Sequence, residues 1–196
     1  MIKFVYQNLP RGTGDAVLKC KNLIKSKYFL MLMPDDLIIQ NNCSLSMIKL
    51  HNKYKSSVIA SKKVNRRTVS RWGIFDFKKI NKRNFLIKDV IEKPSVESAP
   101  SNYAVIGRYI LPTKIFKILE KQTPGQNGEI HITDSIRTLI HQKNKFIGSL
   151  VISAIPSQKF PPIPFPRHQL LRLLAHCISL PRLYEMVSPF PHPGPG

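Results

Sequence analysis

The sequence predicts an α/β fold in which a mixed, mainly parallel sheet is flanked by helices and followed by an irregular, proline-rich tail. Apolar runs of strand length alternate with segments of helical periodicity over the first 60 residues, in the order β-α-β-α-β that is typical of such sheets. Alternating or apolar runs between residues 71 and 94 then indicate antiparallel strands. Residues 147–196 hold ten of the sixteen prolines and are expected to be largely irregular.

These patterns divide the chain into a domain at residues 1–146 and a tail at residues 147–196. Apolar residues make up 42% of the chain, as in ordinary globular proteins, and no apolar run is long enough to span a membrane. The first residues lack the features of a signal peptide. The three cysteines, at unrelated spacings, form neither a disulfide framework nor a zinc site. We therefore expect a reduced, cytoplasmic protein with no membrane partner.

The formal net charge of +20, with a pI near 10.2, fits two classes of protein. Lysines can neutralise the phosphates of a nucleic acid, or they can cover an enzyme whose substrate is a polyanion. The basic residues are scattered, and the densest patch, residues 62–67, is short. No predicted helix carries a continuous basic face interleaved with aromatic residues, so nucleic-acid binding is not favoured as the primary role.

The first elements place a glycine-bearing turn between a strand and a helix. Residues 1–6 are predicted to form a strand. An amphipathic helix is predicted from the turn at residues 7–14 to about Lys25, because apolar residues recur there at helical spacing. Gly12 and Gly14 at the helix entry would let a ligand approach the backbone closely, and a plain turn is the alternative interpretation.

The apolar run at residues 28–33 is predicted to be a buried parallel strand, and Pro34, Asp35 and Asp36 follow it directly. Carboxylates at the carboxyl end of such a strand face the crevice where α/β proteins bind ligands. They suit a hard cation such as Mg²⁺ beside a phosphate. The alternative is that both aspartates only form a turn or cap the next helix.

The remaining elements follow from periodicity and turn residues. In chain order they are a helix from an N-cap at Ser44 to about Tyr54, a strand at 57–60, antiparallel strands at 71–77 and 85–94, a strand at 103–111, a helix from Pro112 to about Lys121 and a helix from about Thr133 to His141. In the tail, an amphipathic pattern at 168–178 favours a helix, and residues 188–196 are expected to be extended or disordered.

Six stretches, in this order, resemble the bacterial UTP–glucose-1-phosphate uridylyltransferase (UDP-glucose pyrophosphorylase) family. They are Gln7–Val17, Leu32–Leu37, Ser70–Ile74, Val90–Pro94, Ala99–Ile110 and Gly128–Asp134. The resemblance implies a Rossmann-like nucleotidyltransferase fold over residues 1–146, with Mg²⁺ as cofactor. It implies the conversion of UTP and glucose 1-phosphate to UDP-glucose and pyrophosphate.

For the nucleotide, the resemblance implies that Gln7 reads the uracil edge and that Gly12 gives backbone access to the base and ribose. Asp35 would hold Mg²⁺ between phosphates, and Asp36 would lie beside it near the nucleotide. These roles are chemically reasonable, since an amide pairs with a base edge in both directions and cations offset the repulsion between two phosphate groups.

For the sugar, the resemblance implies that Gly73 leaves room for the ring and that Val105 lines the same pocket. Glu92 would accept hydrogen bonds from the sugar hydroxyls, and Lys93 would neutralise the phosphate attached to the sugar. His131, Asp134 and Glu129 are interpreted as structural residues at a helix entry.

The chain also departs from the family pattern. Trp72 stands where the family usually has Tyr, and Asp15 stands where it often has His. No segment matches the family's first strand with its glycine-rich phosphate loop, or its second metal-binding aspartate. We therefore expect a chain truncated at its N-terminus, with an unrelated tail of the kind that a frameshift produces.

These departures leave the function open between alternatives. We expect this chain to be inactive as a uridylyltransferase and not to form the family's homo-oligomer. One alternative is a noncatalytic remnant that retains nucleotide-sugar binding, and a less favoured one is a basic nucleic-acid-binding protein. Within the enzyme class, transfer of thymidylyl or of another nucleotidyl group to a sugar phosphate is the substrate-level alternative.

Overall fold

The computed structural model describes residues 3–36, 38, 42–125 and 128–151, together with the backbone of 176–179. The helices are α1 (Thr13–Lys19), α2 (Cys43–Tyr54), α3 (Ile115–Leu119) and α4 (Ile132–His141). The strands are β1 (Tyr28–Leu32), β2 (Ser57–Lys63), β3 (Gly73–Lys79), β4 (Asn84–Glu92), β5 (Tyr103–Pro112), β6 (Phe146–Leu150) and β7 (His176–Ser179). Short 3₁₀ turns at Lys21–Leu23 and Arg66–Arg71 connect them.

The strands form one mixed sheet in the order β2-β6-β4-β3-β5-β1-β7, in which β5 also pairs with β2. The predicted α/β class and mixed sheet are confirmed, but the expected excess of parallel neighbours is not. Among the described strands, only β2 and β6 are parallel neighbours. The reason is that β5 is antiparallel to both β1 and β2, so that Ile110 lies opposite Leu30 on one side and Val58 on the other.

Two apolar layers cover the faces of the sheet, and β1 contributes to both because successive side chains of a strand alternate between faces. Helices α1, α3 and α4 belong to one layer, which includes Val17, Phe29, Met31, Tyr109, Leu119, Ile136 and Leu139. Helix α2 belongs to the other, which includes Leu30, Met47, Ile48, Val58, Ile106 and Ile110. Burying each large apolar side chain contributes about 1.5–3 kcal/mol, so these layers are the main source of stability.

Two helix starts differ from prediction. The N-cap of α2 is Asn42 instead of Ser44, and the Asn42 side chain accepts a hydrogen bond of 3.0 Å from the backbone N–H of Leu45. Pro112 does not begin a helix, because it is the last residue of β5 and lies opposite Tyr28 of β1. A proline is tolerated at a strand end, where it removes no interior hydrogen bond of the sheet.

Two predictions near the ends of the chain also need correction. Residues 3–6 form no strand, since no described strand pairs with them, and the side chains of Phe4 and Tyr6 are each 66% exposed. Within the helix predicted at 168–178, residues 176–178 instead belong to β7, which pairs with the free edge of β1. The rest of that prediction, and the one at 188–196, lie outside the described residues.

The other predicted elements are present with shifted ends. The first helix ends at Lys19, and a 3₁₀ turn continues it to Leu23. Strand β6 was not predicted; it pairs along β2 and continues past the expected domain boundary at residue 146, into the segment that was expected to be irregular. Among the described helices, none combines the length and the hydropathy that a membrane crossing requires.

Candidate functional site

Four residues from four different elements meet at the start of β3. Gly73, the first residue of β3, lies opposite Glu92, the last residue of β4. A Cβ atom added to Gly73 would lie 3.1 Å from Glu92 Oε2, from Thr133 Cγ2 and from Val105 Cγ2. The missing side chain therefore leaves a gap, narrower than a methyl group needs, between a carboxylate, a threonine and an apolar side chain. The sequence analysis placed three of these four residues in one pocket, and the structure brings those three together.

Among the described residues, a hydrogen bond reaches only one oxygen of the Glu92 carboxylate. Its Oε2 accepts a hydrogen bond of 2.8 Å from the Thr133 hydroxyl, at the first turn of α4. None of the described residues donates a hydrogen bond to its other oxygen, Oε1. A half-buried carboxylate with one committed and one uncommitted oxygen can accept hydrogen bonds from the hydroxyl groups of a ligand.

The two aspartates after β1 have different environments. Asp35 is exposed, in the turn that follows the strand. Asp36 is buried, and its Oδ2 accepts a hydrogen bond of 2.7 Å from the backbone N–H of Gly107. Desolvation raises the pKa of Asp36, the nearby charge of Asp35 adds to that effect, and the hydrogen bond from Gly107 opposes it. Asp36 therefore anchors the turn, and Asp35 is the carboxylate that is open to solvent.

The surroundings of Asp35 fit a magnesium ion only if a ligand completes its coordination shell. Among the described residues there is no group of three or more acidic, histidine or cysteine side chains that could enclose a metal. Mg²⁺ commonly binds through one or two carboxylates together with phosphate oxygens and water. Asp35 can supply such a carboxylate, and the remaining ligands would have to come from phosphate and solvent.

Tyr109 is influenced by the charges of the two aspartates and of Glu92. The side chain is buried in β5, and it lies on the same face of that strand as Val105, four residues earlier. Burial raises the pKa of the phenol, and the negative charges of Glu92, Asp36 and Asp35 raise it further. The charges of both predicted subsites therefore act on the pKa of this phenol.

The predicted base-recognition segment packs against the chain just before α4. Gly12 has φ +96°, and a Cβ atom there would lie 2.7 Å from the carbonyl oxygen of Ile130. The backbone N–H of Gly14 donates a hydrogen bond of 2.7 Å to that oxygen, and Ile132 N–H donates one of 3.2 Å to the Thr13 hydroxyl. Since Thr133 follows directly, the segment is tied to the residue that holds Glu92.

Gln7 is already engaged by its neighbours. Its side-chain amide donates hydrogen bonds to Asp15 Oδ2, at 2.7 Å, and to the carbonyl oxygen of Gly12, at 3.2 Å. Asp15 stands at the position where the resembled family often has histidine. The amide NH₂ is thereby oriented by the start of α1, and reading a base with it would require one of these hydrogen bonds to be exchanged.

Lys93, the residue after Glu92, has an exposed side chain and a left-handed backbone, with φ +46°. Its backbone N–H donates a hydrogen bond of 3.0 Å to the carbonyl oxygen of Trp72. The structure therefore places Lys93 at the rim of the gap beside Gly73, where its ammonium group is free to reach an anion.

Three residues near the site, Thr133, Tyr109 and Lys62, were not predicted from the sequence as site residues. Thr133 lies within one of the six matching stretches, between His131 and Asp134, which were interpreted as structural. Tyr109 could have been found from the period of two along β5, which puts it on the face of Val105. Lys62 was noted only as part of the densest basic patch.

Comparison with known proteins gives the class of protein to which this fold and site correspond. Residues 1–151 match the family described as Nucleotidyl transferase, and the chain belongs to that family. The resemblance found from its motifs is thereby confirmed.

Within the family, the chain is similar to proteins that act on UTP and glucose 1-phosphate by name. It is 39% identical over 144 residues to a UTP–glucose-1-phosphate uridylyltransferase of Streptococcus pyogenes, which covers 70% of this chain and 47% of that protein. A crystal structure of UDP-glucose pyrophosphorylase complexed with UDP-glucose superposes with a TM-score of 0.71 at 38% identity, over 76% of this chain and 57% of that one.

A UTP-bound UDP-glucose pyrophosphorylase from Acinetobacter baumannii is also similar, with a TM-score of 0.66 and 32% identity over 76% of this chain and 52% of that chain. The chain spans about half the length of the curated relatives it matches.

Proposed function

We propose that the described residues bind a uridine nucleotide and glucose 1-phosphate, as part of a site that converts UTP and glucose 1-phosphate to UDP-glucose and pyrophosphate. The observation that carries this proposal is the convergence of Gly73, Glu92, Val105 and Thr133 on one gap. The likeness to proteins named for this reaction and the structural similarity to one complexed with UDP-glucose support it.

In this proposal the glucose ring lies over the gap at Gly73, against Glu92 and Val105, and does not enter it. The uncommitted oxygen of Glu92 accepts hydrogen bonds from sugar hydroxyls, and Val105 packs against an apolar face of the ring. Lys93, the residue after Glu92, neutralises the phosphate attached to the sugar. Because Thr133 fixes the other oxygen of Glu92, the carboxylate is oriented before the sugar binds.

The nucleotide lies toward α1 and the turn after β1. Gln7 reads the uracil edge after exchanging one of its present hydrogen bonds, and Gly12 lets the base and ribose approach the backbone. Asp35 is the carboxylate that would hold Mg²⁺ among phosphate oxygens, and such an ion supplies positive charge where two anions must meet. Asp36 keeps the turn in position through its hydrogen bond with Gly107.

The chemical step is a displacement at phosphorus. A phosphate oxygen of glucose 1-phosphate bonds to the α-phosphorus of UTP, and the bond from that phosphorus to the oxygen bridging the α- and β-phosphates breaks, which releases pyrophosphate. In this step the chain's own residues hold the sugar, align its phosphate through Lys93 and keep the base in place. Positioning of this kind, together with electrostatic stabilisation, supplies most of the catalysis in phosphoryl-group transfer.

The test combines binding with turnover. The proposed binding predicts a saturable calorimetric signal when UDP-glucose is added to the purified chain, and no such signal would contradict it. Turnover is measured as pyrophosphate released from UTP and glucose 1-phosphate with Mg²⁺. That this chain alone is inactive stays a prediction, and release that is lost in Asp35→Ala would overturn it.

A further inference from the structure

Lys62 is a cation at the ligand-binding edge of the sheet. Strands β1 and β2 flank β5 and both run antiparallel to it, so their carboxyl ends lie toward the same edge. Asp35 and Asp36 follow β1 at that edge, and Lys62 lies near the end of β2, opposite Ala104 of β5. Ligands of α/β proteins bind at this edge.

The ammonium group of Lys62 is buried without a hydrogen bond. Its Nζ atom is inaccessible to solvent and has no hydrogen-bond partner among the residues that the structure describes. It lies 3.9 Å from the centre of the Trp72 ring, over the face of the indole. A lysine ammonium carries three donors, and an aromatic face satisfies its charge only in part.

The charge of the Lys62 ammonium group is only partly balanced by its neighbours. Desolvation lowers the pKa of Lys62, and the charge of Asp36 opposes this effect. Asp36 accepts a hydrogen bond from the backbone of Gly107, and the Lys62 ammonium group has no hydrogen-bond partner among the described residues, so the two side chains interact through charge alone. A buried, unsatisfied donor costs free energy in the unliganded protein, and such groups are retained where a ligand satisfies them.

The neighbouring Lys63 shows what an ordinary surface contact of this kind looks like. Its side chain is exposed, and its Nζ lies 5.4 Å from the centre of the Tyr103 ring. Water can solvate that ammonium group, so the contact needs no functional explanation. The two lysines are adjacent and identical in type, which makes Lys63 a matched control for Lys62.

We propose that Lys62 is a phosphate-binding residue of the site, held under the Trp72 ring in the free protein and drawn to the phosphate oxygens of a bound nucleoside diphosphate sugar. The identity of this ligand rests on the proposed function. Trp72 is well placed to couple the two states, because it precedes Gly73 and its carbonyl oxygen accepts a hydrogen bond from Lys93. Trp72 therefore contacts the Lys62 ammonium group through its ring and the backbone of Lys93 through its carbonyl oxygen.

The test uses Lys62→Met, which keeps the length of the side chain and removes its charge, with Lys63→Met as control. A charged hydrogen bond to phosphate predicts that Lys62→Met weakens UDP-glucose binding by about tenfold or more, whereas Lys63→Met changes it by less than about twofold. Lys62→Arg should recover most of the loss. Because Trp72 is the only tryptophan of the chain, UDP-glucose should also change its fluorescence in the wild type, and much less in Lys62→Met.

A purely structural role makes the opposite prediction for the free protein. If Lys62 only stabilises Trp72, Lys62→Met should unfold more easily and bind UDP-glucose normally once folded. If Lys62 instead serves to bind a ligand, Lys62→Met should unfold at a denaturant concentration equal to or higher than that of the wild type. Wild-type affinity in Lys62→Met overturns the proposal.

Inorganic pyrophosphate separates this proposal from the proposed function. Lys62-dependent binding of pyrophosphate without binding of UDP-glucose would support the role of Lys62 and contradict the uridylyltransferase site. Equal binding of UDP-glucose by the wild type and by Lys62→Met would contradict the role of Lys62 and support the uridylyltransferase site. If the wild type binds neither probe, both proposals are wrong.

Discussion

The hydroxyl of Thr133 donates a hydrogen bond of 2.8 Å to Oε2 of Glu92, across 41 positions of the chain. It joins the end of β4 to the first turn of α4, and both residues border the gap left by Gly73. Since the segment before Thr133 is bonded to Gly14 and Thr13, this contact also relates the sugar side of the site to the nucleotide side. We therefore expect Thr133 to act by positioning Glu92.

Thr133→Val tests this positioning role, because valine keeps the shape of threonine and removes its hydroxyl. We expect UDP-glucose to bind about three- to tenfold more weakly, since Glu92 loses a hydrogen bond that orients it. Binding of UDP, which lacks the glucose, should be unchanged. Calorimetry of both ligands checks this, with Thr133→Ser as the control that keeps the hydroxyl. Equal losses for UDP and UDP-glucose would contradict a role on the sugar side.

Gly73→Ala fills the gap itself. The added methyl group would lie 3.1 Å from atoms of Glu92, Thr133 and Val105, so these side chains must move apart or the sugar loses its space. We expect the affinity for UDP-glucose to fall by about tenfold or more, with a loss of stability of about 1–3 kcal/mol. Gly125→Ala is the control, because its closest contact would be an ordinary 3.5 Å. If Gly73→Ala binds UDP-glucose as tightly as the wild type does, the gap is not part of the sugar site.

Gly12→Ala tests the strained approach of the N-terminal segment to Ile130. The backbone at Gly12 has φ +96°, and the new Cβ would lie 2.7 Å from the Ile130 carbonyl oxygen. We expect the free energy of unfolding in urea to fall by about 1–3 kcal/mol. Gly128→Ala separates strain from contact, because its φ is +71° and nothing lies within 4 Å of the added atom. Similar losses in the two variants would show that Ile130 is irrelevant.

Asp36 should give the stability a recognisable pH dependence. Because desolvation raises its pKa above the ordinary value of 3.8, the folded state binds this proton more tightly than the unfolded state does. The resulting stabilisation is fully present below the unfolded pKa and is lost as the pH rises through the folded pKa. Asp36→Asn removes the titration and keeps an oxygen that can accept the hydrogen bond from Gly107.

Urea unfolding of both proteins in metal-free buffer, from about pH 3.5 to about pH 7, isolates this contribution. We expect the stability of the wild type to fall relative to that of Asp36→Asn as the pH is raised. A wild type that instead gains stability relative to Asp36→Asn over this range would mean that the hydrogen bond from Gly107 outweighs desolvation.

Much of the fold could be predicted because local periodicity determines it. The apolar stripe of α4 and the alternating runs of β3 and β4 appear where the sequence indicates them. Strand neighbours could not be read in the same way. The β-α-β order led us to expect a mainly parallel sheet, whereas β5 lies between β1 and β2 and is antiparallel to both. Partner choice depends on contacts between distant segments, which periodicity does not encode.

The candidate site shows the same limit. Gly73, Glu92 and Val105 were predicted together through the family resemblance, and the structure brings them into contact. Thr133 was not predicted, because its role depends on the carboxylate of Glu92, which lies 41 positions away in the chain. The sequence also shows a charged residue at Lys62 without showing that its ammonium group is buried under an indole ring.

The sugar of a nucleotide sugar is proposed to lie over the gap bordered by Gly73 and Glu92. Calorimetric titration of UDP-glucose into the wild type and into Glu92→Gln tests it most directly, with UDP as the comparison ligand. We predict that Glu92→Gln binds UDP-glucose at least about tenfold more weakly and binds UDP as the wild type does. Equal affinity of the two proteins for UDP-glucose, or a wild type that does not bind it, would contradict the claim.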